Sequence, residues 1–189
     1  LGAGIAALTG IGGGIGIVYQ DETTLDLAAY AATVKQLLGS RPLKLILEPG
    51  RSLVGNAGNL LTRVEFIKSN GDKQFVIVDA AMNDLMRPAL YQAYHHIENA
   101  EESDTAPFSA DIVGPICETG DFFARDREIA AQAGDLLVIR SAGAYSASMG
   151  SNYNARVKPA EVLVNGSEVK LIRRRETLEQ LMQNELDCL

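Results

Sequence analysis

The sequence predicts an α/β segment that passes into a mostly antiparallel β domain, and three observations predict it. An apolar run at 43–47 has the length and residue types of a buried strand and leads straight into Glu48-Pro49-Gly50-Arg51. Ahead of it, a glycine run and an amphipathic helical pattern give loop, helix and strand in the rhythm of a β/α repeat. Behind it, Asn70-Gly71 and Asn165-Gly166 each separate two strand-like runs, which is a strong hairpin signal.

The bulk properties narrow the function classes. A chain of 189 residues can bury roughly 70% of its unfolded surface, so it needs neither disulfides nor metals for stability. Its net charge of −7 argues against a nucleic-acid surface, which is usually basic. Cys117 and Cys188 form neither a disulfide framework nor a zinc pattern, so no metal is expected and a reducing, cytoplasmic setting fits. Residues 1–18 carry no charge, but seven of them are glycine, each costing about 1 kcal/mol in a helix relative to alanine. No basic residue precedes Lys35, so neither a signal peptide nor a membrane helix is expected, and the chain reads as soluble.

Taken in order, Gly2-Ala3-Gly4-Ile5-Ala6-Ala7 loosely matches a dinucleotide-binding pattern but has no strand before it, and is set aside. In residues 11–17, Gly12, Gly13 and Gly14 allow several backbone N–H groups to converge on an anion, or simply make a tight loop. Leu27, Tyr30, Ala31, Val34, Leu37 and Leu38 form one apolar stripe, predicting a helix over 24–38. Thr23 or Thr24 serves as its cap, Gly39 as its end, and Pro42 prevents continuation. After the strand at 43–47, Pro49 ends the ladder and Gly50 permits close approach of a ligand. Glu48 and Arg51 then stand at the carboxyl end of a strand, where parallel α/β folds place their active sites. A (β/α)8 barrel takes roughly 250 residues, so this short β/α stretch is either a smaller fold or the tail of a longer protein.

Beyond Arg51 the runs at 60–68, 73–79, 111–113, 135–141, 160–164 and 169–173 read as strands. Residues 98–107 are acidic and read as an exposed loop. Thr177 and Gln180 have the spacing of a capping box for a final helix.

Several side chains are suited to chemistry. Arg87 and Tyr91 lie four apart, so one helical turn would put them on one face, where they could grip a carboxylate. The alternative is a solvated arginine and a core tyrosine. Cys117 and Glu118 lie in an irregular loop between Gly114-Pro115 and Gly120-Asp121; the thiol suits proton donation or nucleophilic attack, or is structural and buried beside a solvated Glu. Gly143 and Tyr145 follow a strand and could present a phenol to a phosphate, while 151–154 reads as structural. His95 and His96 are adjacent, a poor spacing for two metal ligands, and read as surface histidines. No phosphate-binding Walker loop or Gly-x-Ser-x-Gly elbow is present.

In this order, from about residue 11 to residue 154, the clusters resemble the C-terminal half of the diaminopimelate decarboxylases. These are pyridoxal-phosphate enzymes of the alanine racemase/ornithine decarboxylase fold group. The resemblance implies the last part of a (β/α)8 barrel over 1–58 and a C-terminal β domain with a terminal helix over 59–189. It implies that Gly12, Gly13, Gly14 and Gly50 hold the cofactor phosphate, that Glu48 faces the pyridine nitrogen, and that Tyr145 contacts the cofactor. Arg51, Arg87 and Tyr91 would bind the substrate's distal carboxylate, Glu118 its distal ammonium, and Cys117 would protonate the substrate carbon. Cys117 and Glu118 would reach the site from the partner subunit of a homodimer. The implied reaction is decarboxylation of meso-2,6-diaminopimelate to L-lysine. Polyamine-forming relatives have an Asp after the Cys and lack Arg-Pro-Ala-Leu-Tyr, whereas Cys117-Glu118 and Arg87–Tyr91 keep the diaminopimelate form. A related decarboxylase of another basic amino acid or carboxylated polyamine, or a non-catalytic relative acting through subunit binding, are the alternatives. The family's cofactor-binding lysine lies in a Tyr-Ala-x-Lys-Ala type motif that these residues lack, so they are expected to be part of a longer enzyme and inactive alone.

Overall fold

The structure, a computed structural model, describes residues 8–188. Strand β1 (Leu8–Gly10), helix α1 (Leu27–Leu38) and strand β2 (Lys44–Ile46) form a β–α–β unit with the two strands parallel, Leu8 opposite Lys44 and Gly10 opposite Ile46. Such units are the repeat of parallel α/β folds. The buried strand expected at 43–47 is shorter, and only Leu45 within it is half-buried. Its partner β1 was hidden in the uncharged, glycine-rich head; the dinucleotide-like stretch before it lies outside the described residues.

Helix α1 starts later than its apolar spacing suggests, because Asp26 caps it. The Asp26 carboxylate accepts hydrogen bonds from the N–H groups of Ala28 and Ala29 at 2.9 and 3.0 Å. A carboxylate both satisfies these free donors and meets the positive end of the helix dipole, so it displaces Thr23 and Thr24 from the cap role. Gly39 ends the helix with φ +57°, its N–H donating to the Lys35 carbonyl. No residue of α1 is buried, and Leu27 and Leu37 lie open.

After the short helix α2 (Gly50–Val54) and a 3-10 turn at Gly55–Ala57, the chain builds a six-stranded sheet. Its strands are β3 (Leu60–Asn70), β4 (Lys73–Val78), β5 (Ile97–Asn99), β6 (Phe108–Val113), β7 (Phe122–Ile129) and β8 (Leu136–Ile139). The spatial order is β5-β8-β3-β4-β6-β7. The β3–β4 hairpin turns at Gly71, whose φ of +60° is open to glycine at no steric cost. Val64, Val76, Val78, Ile112, Leu137 and Ile139 alternate onto one face and make the core with Leu85, Phe123 and Ile129.

The sheet is not wholly antiparallel: β4 and β6 run parallel, Phe75 opposite Asp111. A parallel pair needs a long crossover, and residues 79–107 supply it, carrying helix α3 (Arg87–Tyr91) and β5. Two strands escape a pattern reading. Strand β5 is three residues long and begins the stretch expected as an acidic loop, so Glu98 and Asn99 are strand residues. Strand β7 carries Arg125-Asp126-Arg127-Glu128, a polar run with no alternation. Its polar groups find partners instead, the Asp126 N–H donating to Asp111 Oδ1 at 2.9 Å and the Asp126 carboxylate lying 3.8 Å from Lys73 Nζ, which also pairs with Asp111 at 2.8 Å.

The hairpin of β9 (Glu161–Asn165) and β10 (Glu168–Arg173) turns at Gly166, φ +59°. Thr177 and Gln180 form the expected capping box, but the final helix breaks at Met182 into α4 (Leu178–Leu181) and α5 (Gln183–Leu186). Among the described residues no helix is long and apolar enough to cross a membrane.

Candidate functional site

The ladder between β1 and β2 continues past both strands and joins the glycine loop to Glu48. The Ile11 N–H donates to the Ile46 carbonyl at 3.2 Å, and the Glu48 N–H donates to the Gly12 carbonyl at 2.9 Å. Gly12 and Gly14 have φ of +68° and +78°, and the space where a Cβ would stand is open at both. Gly13 is different: a Cβ there would overlap the Glu48 carbonyl. The three glycines thus serve two needs, close packing on Glu48 at the middle one and left-handed backbone at the outer two.

The Gly13 and Gly14 N–H groups make no backbone hydrogen bond to another described residue. The Glu48 carboxylate is exposed and unpaired among them. An open turn with free amides beside a free carboxylate fits a group carrying a phosphate at one end and a basic nitrogen at the other. Gly50 differs from its expected part, because its N–H is already bonded to the Glu48 carbonyl at 2.9 Å.

Arg51 and Tyr145 come together although they stand 94 positions apart in the chain. The segment holding Tyr145 is fastened to the turn after α2: the Ala142 N–H donates to the Gly58 carbonyl at 2.7 Å and the Gly143 N–H to the Gly55 carbonyl at 2.9 Å. A Cβ at Gly143 would overlap the Val54 carbonyl oxygen, so only glycine allows this approach. Tyr145 itself has φ +69°, a left-handed conformation that this packing holds. Its ring then lies 5.8 Å from the Arg51 guanidinium carbon. The Nε of Arg51 is buried without a partner among the described residues.

Helix α3 forms with Pro88 in its first turn, where the missing N–H does no harm. The residue environments reverse the bland alternative: Arg87 is half-buried and Tyr91 is 63% exposed. The Arg87 guanidinium sits 4.5 Å above the Tyr19 ring and donates from Nη1 to His95 Nε2 at 3.1 Å. A cation over a tyrosine face contributes about 0.5–2 kcal/mol, depending on how dry it is.

His95 is not a surface residue; it is fully buried, while His96 is exposed and lies 3.2 Å from Glu98. An arginine can only donate and a carbonyl can only accept. His95 therefore accepts at Nε2 from Arg87 and donates from Nδ1 to the Arg140 carbonyl at 2.9 Å, as the neutral Nδ1–H tautomer. Burial pushes its pKa below the usual histidine value, and the Arg87 charge adds to this against the opposing Arg140 hydrogen bond. Neither Tyr19 nor His95 carried a sequence signal, because nothing in spacing brings residues 19, 87 and 95 together.

Cys117 and Glu118 stand exposed on a loop organised by Asp121. The buried Asp121 carboxylate accepts from the Met82 N–H at 2.6 Å and the Ile116 N–H at 2.7 Å. Burial raises its pKa above the usual aspartate value, and those backbone donors partly offset this. Glu118 accepts from the Gly120 N–H at 3.0 Å and from the Tyr153 hydroxyl at 3.4 Å. Tyr153 lies in the 151–154 cluster read as structural, so one of its members reaches a candidate residue. Among the described residues no ion pair joins Glu118 to Arg51 or Arg87, and neither arginine is paired with a carboxylate. The structure thus brings together the glycine loop with Glu48, Arg51 with Tyr145, and Arg87 with His95 and Tyr19. Among the described residues, Cys117 and Glu118 make no hydrogen bond or ion pair to any of these.

Residues 17–143 match the family model described as "Pyridoxal-dependent decarboxylase, C-terminal sheet domain". The chain is 72% identical over 179 residues to a diaminopimelate decarboxylase of Neisseria meningitidis serogroup B, covering 95% of this chain and 43% of that protein. It is 53% identical over 184 residues to one of Pseudomonas aeruginosa, covering 97% of this chain and 44% of that protein. The crystal structure of diaminopimelate decarboxylase from Helicobacter pylori complexed with L-lysine superposes with a TM-score of 0.90 at 41% identity, over 97% of this chain and 45% of that one. The chain thus spans less than half the length of these relatives. The shared fold makes the β–α–β unit the last part of a (β/α)8 barrel and the large sheet the domain that follows it. With the family model covering most of the chain, and a glycine turn and carboxylate suited to the cofactor, this chain belongs to the pyridoxal-dependent decarboxylase family.

Proposed function

We propose that the protein containing this chain decarboxylates meso-2,6-diaminopimelate to L-lysine and carbon dioxide, the last step of lysine biosynthesis. The observation that carries the reading is the state of the two arginines. Arg51 and Arg87 are both half-buried, and neither is neutralised by a carboxylate among the described residues. A partly desolvated, unpaired cation is unfavourable until an anion meets it, so two of them mark a binding place for a carboxylate. Diaminopimelate offers one at the end remote from the reaction, and the two relatives named for this activity are 72% and 53% identical.

Bound pyridoxal phosphate supplies a ring that accepts the electron pair left when the carboxylate carbon departs. The protein's own residues hold the parts in place. Gly12, Gly13 and Gly14 would hold the phosphate, with Gly50 shaping the turn beneath it. Glu48 would keep a proton on the pyridine nitrogen, and Tyr145 would rest against the cofactor. Arg51, Arg87 and Tyr91 would fix the distal carboxylate, and Glu118 the distal ammonium. The Cys117 thiol would deliver a proton to the carbon that lost carbon dioxide.

Cys117 and Glu118 are exposed and bonded to none of the other candidate residues among the described residues, which supports their serving the site of a second copy in a homodimer with shared active sites. We place the boundary between barrel and β domain at residues 58–59, just before β3, and the enzyme in the cytoplasm. The cofactor-binding lysine would come from the part of the protein outside this chain.

The test is a decarboxylase assay on the full-length protein and its Arg87→Ala variant. Diaminopimelate turnover is expected, with KM raised about tenfold or more in the variant, as loss of a charged hydrogen bond implies. Turnover of ornithine, arginine or a carboxylated polyamine instead would replace the substrate. An unchanged KM would remove Arg87 from its role.

A further inference from the structure

The chemistry of the group that holds Arg87 is unusual for a half-buried arginine. Its guanidinium is usually met by a carboxylate, which cancels its charge and occupies its fork. Here the partner is a fully buried neutral imidazole, 3.1 Å from Arg87 Nη1. An imidazole nitrogen accepts one hydrogen bond and leaves the positive charge intact. The Tyr19 ring covers one face of the guanidinium at 4.5 Å, and meets the His95 ring edge to face at 5.2 Å. One face and one N–H are thereby taken, and the other donors of the guanidinium have no partner among the described residues.

The histidine is itself held from several sides. Its Nδ1–H donates to the Arg140 carbonyl, whose own side chain is tied to Glu98 at 2.6 Å. The His95 carbonyl accepts from Arg127 Nη1 at 3.4 Å, and Arg127 lies 4.3 Å over the Tyr94 ring. Neighbouring His96 shows the contrast, exposed and beside a carboxylate. The tautomer of His95 is thus set by a carbonyl that cannot donate, which leaves Nε2 as an acceptor and nothing else.

We propose that His95 and Tyr19 are positioning residues that aim the Arg87 guanidinium at the substrate's distal carboxylate while keeping its charge unneutralised. This rests on the assignment of Arg87 to carboxylate binding above. His95 touches no reacting atom and acts through Arg87, so it bears on carboxylate recognition and not on the bond that breaks.

The experiment measures binding of L-lysine and of 1,5-diaminopentane, which lacks the carboxylate, to the full-length holoenzyme by calorimetry. His95→Asn keeps a donor for the Arg140 carbonyl but loses the acceptor for Arg87. His95→Gln keeps an acceptor near the Nε2 position. H95N is expected to weaken L-lysine about tenfold and leave 1,5-diaminopentane unchanged, as loss of one hydrogen bond to a charged group implies. H95Q is expected to restore most of the difference, and H95N to raise KM for diaminopimelate with kcat much less affected. Equal weakening of both ligands, or H95N binding like wild type, overturns the inference. Wild-type protein that does not distinguish the two ligands overturns the Arg87 assignment instead, and the inference with it. The wild-type tautomer gives a check that needs no variant: nitrogen-15 spectra should show His95 protonated at Nδ1, and protonation at Nε2 overturns the proposal.

Discussion

Gly13 lies against the backbone of Glu48 so closely that a Cβ on it would overlap the carbonyl oxygen and stand 2.9 Å from the carbonyl carbon. The glycine turn and the Glu-Pro-Gly-Arg strand end are therefore one unit, and the position of the Glu48 carboxylate depends on the residue at 13. Backbone atoms cannot swing aside as a side-chain tip can. Gly13→Ala is expected to lower the affinity of the full-length protein for pyridoxal phosphate by about tenfold or more, a displacement of order 1–3 kcal/mol. Equilibrium dialysis of the cofactor measures it, and unchanged affinity would separate the turn from the cofactor.

Gly143 makes the corresponding approach on the β-domain side, against the Val54 carbonyl. Gly143→Ala must push the 141–146 segment off the turn at Gly55–Ala57 and weaken the hydrogen bonds from Ala142 and Gly143. A loss of about 1–3 kcal/mol of stability is expected, with a fall in cofactor affinity as Tyr145 moves. Denaturant midpoint and cofactor titration read the two effects separately.

Asp121 accepts two backbone N–H groups with two carboxylate oxygens. Asparagine has one oxygen and an NH2 group, so one of the two amides would face a donor. Asp121→Asn is expected to destabilise by about 1–3 kcal/mol although it removes a buried charge. It should also loosen the loop bearing Cys117 and Glu118, seen as faster amide exchange at Ile116. A stabilised variant would show that burial of the charge outweighs the two hydrogen bonds.

The buried His95 gives stability a defined pH dependence. Its folded pKa lies below the ordinary histidine value, so below about pH 6.5 the unfolded chain takes up a proton that the native state refuses. Its contribution is therefore full above that pH and is lost progressively as pH falls toward the folded pKa. Asp84 and Asp121 act in the opposite sense. Burial raises their folded pKa values, so they favour the native state more as pH drops through them. Urea unfolding of wild type and His95→Gln between pH 7.5 and 5 should differ in slope, wild type losing more stability toward acid. Parallel curves would mean that His95 does not remain neutral when folded.

Much of the local structure was legible in the chain. Asn70-Gly71 and Asn165-Gly166 mark both hairpins because the turns need left-handed backbone that glycine adopts freely. Thr177 and Gln180 reach each other across one turn, so their capping box is written in three residues of spacing. Glu48 to Arg51 announces a strand end because Pro49 cannot continue a ladder. Where sequence reading failed, a non-local partner decided. Strand β7 is held through Asp111, on the neighbouring strand β6, and by Lys73 beyond it, and β4 pairs parallel with β6 only because a long crossover intervenes.

The sequence alone determined the class of fold, the glycine turn, and the kinds of side chain offered to a carboxylate, a phosphate and a proton. These follow from backbone freedom, spacing within one element, and the charge each residue carries wherever it stands. Tertiary structure alone decided which of those side chains meet. It moved His95 from the surface to the inside, set Tyr19 under Arg87, and brought Tyr145 to Arg51. Such meetings depend on contacts between distant parts of the chain, and a buried group shows its tautomer and charge only once its neighbours are in place.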